Sequence, residues 1–86
     1  MASYTQWIEH RGHRILYSNY AGLDEAEYLR AMEATQREML GQPNGSIVLT
    51  VTDVSRSRPT RAIMAKANAM AAAAQAAGIT TIDAVI

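Results

Sequence analysis

The chain has 86 residues, with eight basic and eight acidic side chains, two histidines and no cysteine. That length makes one domain with a thin core, able to hide only about 60 to 65 percent of the surface its unfolded form exposes, so burial against a partner adds useful stability. Cancelled charge and a pI near 6.7 give no field to attract nucleic acid or an anionic membrane, and the missing cysteines exclude disulfides, cysteine-ligated zinc and a thiol nucleophile, as suits a cytoplasmic protein.

The amino terminus, MASYTQWIEHRGHR, lacks the basic segment and apolar run of a secretory signal. YTQWIEH (4–10) and RILYSNY (14–20) are short runs rich in aromatic and β-branched residues around Arg11-Gly12-His13. They predict a hairpin whose turn conformation Gly12 supplies.

AGLDEAEYLRAMEATQREML follows, where Asp24 and Glu27 form a capping-box pattern and Leu23 and Tyr28 are spaced as a hydrophobic staple. Leu29, Met32, Gln36, Met39 and Leu40 are expected on the buried side of this helix, with Glu33 and Arg37 pairing along the other. Gly41 is expected as a left-handed cap, and Pro43 stops the helix.

SIVLTVTD (46–53) holds an almost unbroken apolar run, which predicts a central strand covered on both faces. RAIMAKANAMAAAAQAA (61–77) has high helix propensity and ends at Gly78. It is mostly alanine, broken by Lys66, Asn68 and Gln75, and falls short of the about 20 strongly apolar residues needed to span a bilayer, so no membrane insertion is expected. Ile63, Ala67, Met70, Ala74 and Ala77 make its inner stripe; Arg61, Asn68 and Gln75 mark the wet side. ITTIDAVI (79–86) reads as a fourth strand with apolar surface to spare, which favours dimerisation or strand exchange.

The order ββαβαβ predicts an α/β fold with a mixed four-stranded sheet, right-handed crossovers placing the two helices packed on one face. Between strand three and helix two lies TDVSRSRPTRAIM (52–64), with Ser55, Ser57 and Thr60 among Arg56, Arg58 and Arg61. Free amides and the positive end of the helix dipole suit an anion there, the arginines add donors, and a phosphate on Ser57 or Thr60 would land among them. Ordinary helix capping by Ser57 or Thr60, Pro59 in the first turn and solvated arginines account for the same residue types.

WIEHRGHRILYSNYAGLDEAEYLRAM and QPNGSIVLTVTDVS together resemble the start of the bacterial STAS-like family, small domains similar to anti-sigma-factor antagonists and, more distantly, to the lipid-binding Sec14 fold. The shared features are a hairpin with a glycine turn, an aromatic-rich second strand with a Gly-Leu step, a Gln-Pro turn and an apolar strand ending in Thr-Asp-Val. The resemblance implies that residues 1–86 are a single STAS-like domain lacking the helix and strand that family members usually carry beyond the fourth strand. It also implies a regulatory phosphate acceptor after the central strand, although the family's Asp-Ser-Ser/Thr-Gly-like sequence is absent and Asp53, Ser55, Ser57 and Thr60 occupy that region only loosely.

Three other groups bear on function. His10 and His13 flank the hairpin turn and could face each other, but without a third ligand they are expected to be exposed turn residues and no metal is assigned. Trp7, Tyr17 and Tyr20 could line an apolar pocket or serve as ordinary strand packing. Asp53 ends the central strand, where α/β proteins often place functional groups, and Asp83 sits mid-strand, but no carboxylate pair, phosphate loop or nucleophile–base pattern anchors enzyme chemistry. The reading is a noncatalytic regulatory or protein–protein interaction module without cofactor, self-associating as a homo-oligomer. The alternative is a small apolar-ligand or lipid-binding domain of the Sec14-like type.

Overall fold

The computed structural model describes residues 4–86, so the start of the amino-terminal stretch MASYTQWIEHRGHR lies outside the described residues. The elements are β1 (Thr5–His10), β2 (His13–Asn19), α1 (Glu25–Leu40), β3 (Ile47–Asp53), α2 (Arg61–Ala76) and β4 (Thr80–Val85). They build one four-stranded sheet in the order β1-β2-β3-β4, antiparallel between the first two strands and parallel thereafter. Both crossovers step across the sheet in the same direction, so two crossovers of one hand put both helices on one face, as expected.

The hairpin turn consists of Arg11 and Gly12 alone, with φ of 51° and 80°. Two positive φ values describe the type I′ turn that matches strand twist, so Arg11 shares the left-handed burden assigned to Gly12. At the start of α1, the Asp24 side chain accepts from the Glu27 amide at 2.8 Å, as the capping box requires. Its other end differs from expectation: Gly41 is right-handed at φ −75°. The left-handed closure belongs to α2, where Gly78 at φ 73° and the bonds from Gly78 and Ile79 amides to the Gln75 and Ala74 carbonyls form a Schellman motif.

The buried side of α1 is Tyr28, Ala31, Met32, Thr35 and Met39. That face is rotated from the predicted one: Leu40 is exposed and Gln36 half-buried, while Thr35 is inside. A hydrogen-bond network explains the difference. Thr35 Oγ1 lies 2.9 Å from Ser18 Oγ and within bonding distance of the Tyr20 hydroxyl, and it donates to the Ala31 carbonyl at 3.2 Å. Three buried hydroxyls thus satisfy one another between helix and sheet. Glu33 pairs not with Arg37 but with Lys66 of α2, at 2.8 Å.

Leu16, Met39, Val48, Ala74 and Ile79 form one core cluster, and Tyr20, Tyr28, Ala31, Met32 and Ile63 a second. Both lie between the sheet and the helices. Of the stripe expected on α2, Ile63 and Ala74 are buried, Met70 and Ala77 are half-buried, and Ala67 is exposed.

Candidate functional site

The uncovered face of the sheet follows from strand register. Side chains alternate, so residues paired across strands share a face. Leu16, Ser18, Val48 and Thr50 are buried toward the helices. The alternate residues therefore point away, and register sets Ile8 across from Ile15, Ile15 across from Leu49, and Leu49 across from Ile82. This aliphatic row runs the full width of the sheet with no helix over it. Tyr17, Val51 and Ala84 make a second row in the same register.

Exposure agrees with this arrangement: Ile8 is 37%, Ile82 57% and Ile47 67% exposed. β3 is central, as expected, but the expectation of cover on both faces is wrong. Only its helix-facing side is covered, because both crossovers lie there; the apolar run of β3 serves one buried face and one open face. At about 4.8 Å between strands and about 3.3 Å per residue, the open face measures roughly 19 by 20 Å.

Polar groups bound the face at both ends of its strands. His10 and His13 are paired in register at the hairpin end, and no group of three or more residues able to hold a metal ion occurs among the described residues. Asp53 closes the opposite end and opens the loop that carries the arginines. Its carboxylate accepts from both the amide and the hydroxyl of Ser55, at 3.0 and 2.7 Å. The Ser55 hydroxyl and amide hold the Asp53 carboxyl below its ordinary value, with Arg56 a smaller contributor.

The loop folds on local bonds. Ser57 donates its hydroxyl to the Val54 carbonyl, Arg56 adopts φ 55°, and Thr60 caps α2 by accepting from the Ile63 amide at 3.2 Å. Ser55, Arg56, Arg58 and Arg61 are exposed, whereas Ser57 and Thr60 are half-buried. The loop carries the six residues from the end of β3 to the start of α2 on the helix side, with Thr60 in the capping role.

On the helix side, a cleft of about 330 Å³ opens between α1, α2 and the β3–β4 half of the sheet. Tyr20 and Tyr28 line it, with ring centroids 4.7 Å apart. Trp7 and Tyr17 do not join them: Trp7 packs beside the first core cluster under Arg14, 4.3 Å from its ring, and Tyr17 is on the open face. Asp83 also borders the cleft, where Thr50 donates to its Oδ1 and Thr52 does so at 3.0 Å. From the sequence Tyr28 is expected only as a hydrophobic staple with Leu23, and Asp83 only as a mid-strand carboxylate, neither as part of a cleft. The alternation of Thr50, Thr52 and Asp83 toward one face was the available signal.

No family model, no curated protein and no solved structure matches this chain. Fold and site geometry therefore carry the functional reading. Among the described residues, no helix is long and apolar enough to cross a membrane.

Proposed function

We propose that the protein is a noncatalytic interaction or regulatory module of the STAS-like kind, cytoplasmic, that self-associates through the open face of its sheet. The supporting observation is the aliphatic row Ile8, Ile15, Leu49 and Ile82, held in register and left uncovered. The whole face projects roughly 400 Å², polar ends included, and an apolar centre within it is the kind of exposed patch that is often functional.

A second copy suits this face. Its centre carries no charge, so two copies meet without burying an unpaired ion, and a two-fold axis across the strands brings the hairpin end of one copy over the Asp53 end of the other. The start of the Ser55 to Arg61 loop follows Asp53 at the end of the same face, where a phosphate on exposed Ser55 would alter the charge beside Arg56. Isotope-filtered NMR on a mixture of labelled and unlabelled chains tests the reading: contacts from Ile82 methyls to open-face residues of the second copy are expected, and their absence at concentrations that give a dimer contradicts it.

A second reading, a small-ligand domain, is favoured by the cleft beside Tyr20. Its volume reaches the roughly 300 Å³ at which ligand pockets begin.

A further inference from the structure

The cleft between α1, α2 and β3–β4 is lined mainly by Tyr20, Tyr28, methionines and alanines, with a carboxylate at its sheet side. Asp is a poor strand former, and Asp83 stands in the middle of β4, directly across from Thr50. Thr50 and Thr52 both donate to Oδ1. No described residue donates to Oδ2, and the described ion pair is Lys66 with Glu33, so Asp83 has no cationic partner among the described residues. Asp83 is exposed at the mouth of the cleft, and a charge on an edge strand discourages unwanted strand pairing, which accounts for a charge at this position. It does not account for two hydroxyls that fix one carboxylate oxygen beside a cavity bordered by two tyrosine rings tilted 41° to each other.

We infer that this cleft is a binding site for a small amphiphilic amine, its protonated head bonded to Asp83 and its apolar body lying against Tyr20, Tyr28 and Met70. A carboxylate already oriented by hydroxyls offers a charge-assisted bond to an ammonium group at little reorganisation cost. The two tyrosine rings in the lining add electron-rich surface for a cation, and the thioethers and alanine methyls accept the apolar remainder. Burial, more than any other influence, pushes the Tyr20 phenol upward, and the Asp83 charge adds to it in the same direction. The Asp83 carboxylate makes the cleft negative at its sheet side. An acid or phosphate would meet Asp83 with like charge. The inference rests on the small-ligand reading and is independent of self-association, because the cleft lies on the opposite side of the sheet from the open face.

Calorimetric titration with phenylpropylamine, phenylpropanol and phenylpropanoate, three probes sharing one body, tests it. The amine is expected to saturate one site per chain about ten-fold or more tighter than the alcohol, and the carboxylate to bind most weakly. Asp83→Asn, which keeps an oxygen for Thr50 and Thr52, is expected to remove the preference for the amine and leave alcohol binding unchanged. Ala71→Phe, at an exposed helix position on the cleft wall, is expected to block all three while the circular dichroism spectrum stays native. Equal affinity for the three probes, no binding of any, or amine affinity unaffected by Asp83→Asn would each overturn the inference, the last assigning Asp83 to edge protection alone. Loss of dimerisation with the amine preference intact would count against the self-association proposal and not against this one.

Discussion

Leu49 and Ile82 are paired in register across the parallel strands β3 and β4, on the face that no helix covers. Leu49 is half-buried and Ile82 is 57% exposed, so they contribute unequally to the isolated domain. Ile82→Lys is expected to leave monomer stability within about 0.5 kcal/mol, as at other exposed positions. Leu49→Ala is expected to lose about 1 to 2 kcal/mol, below the range for a fully buried leucine. Urea unfolding at high dilution reads both.

The Ser18–Thr35–Tyr20 network makes a second prediction. Thr35→Val preserves shape but takes the bonding partner from the buried Tyr20 hydroxyl, while Ser18 keeps a hydroxyl neighbour in Thr5 at 3.2 Å. Tyr20→Phe removes a hydroxyl and leaves Thr35 bonded to Ser18 and Ala31. The first change is expected to cost about 1 to 3 kcal/mol and the second about 0.5 to 1.5 kcal/mol, since stranding a buried polar group costs more than deleting it. Chemical denaturation of the two variants checks the order.

Much of this architecture was legible in the sequence and some was not, for definite reasons. Asp24, Glu27, Gly78 and the apolar run of β3 are local signals, and each marked its element. The rotation of α1 was hidden because Thr35 scores as polar, yet its hydroxyl is satisfied by Ser18 and Tyr20 seventeen and fifteen residues away. The bare sheet face was available in principle. Two crossovers in one direction leave one side of β3 without a helix, which conflicts with reading its apolar run as covered twice; topology prevails over pattern here. In the loop at Ser55 to Arg61, Ser55 and the arginines are exposed while Ser57 and Thr60 are half-buried, and the cleft required Tyr28 and Asp83, remote in sequence, to line one space.

Thr60 offers a test of helix capping against any other role for the loop hydroxyls. Thr60→Ala is expected to cost about 1 kcal/mol through the lost bond to the Ile63 amide, and Thr60→Ser to restore most of it. Thermal unfolding of the pair reads the difference.

Stability toward acid should depend on Asp53 and Glu33. Both carboxyls are held below their ordinary values in the folded chain, Asp53 by Ser55 and Glu33 by Lys66. A depressed folded-state value contributes stability that is present above the unfolded value and is lost as pH falls through the folded one. Stability is therefore expected to fall below about pH 4, and Asp53→Asn and Glu33→Gln are each expected to flatten that limb. Denaturation midpoints measured from neutral pH downward check the sign. The Tyr20 phenol, raised by burial, acts at the other extreme: its contribution is present below the unfolded value and lost on the alkaline side, so Tyr20→Phe should flatten the alkaline limb.

The most direct measurement is sedimentation equilibrium of the purified chain beside its Ile82→Lys variant. An exposed aliphatic row that seats a second copy predicts a two-chain mass for the native sequence and a shift to one-chain mass for the variant, with identical circular dichroism spectra. A native chain that stays at one-chain mass across the accessible concentrations, or a variant that dimerises as tightly as the native chain, would contradict the account.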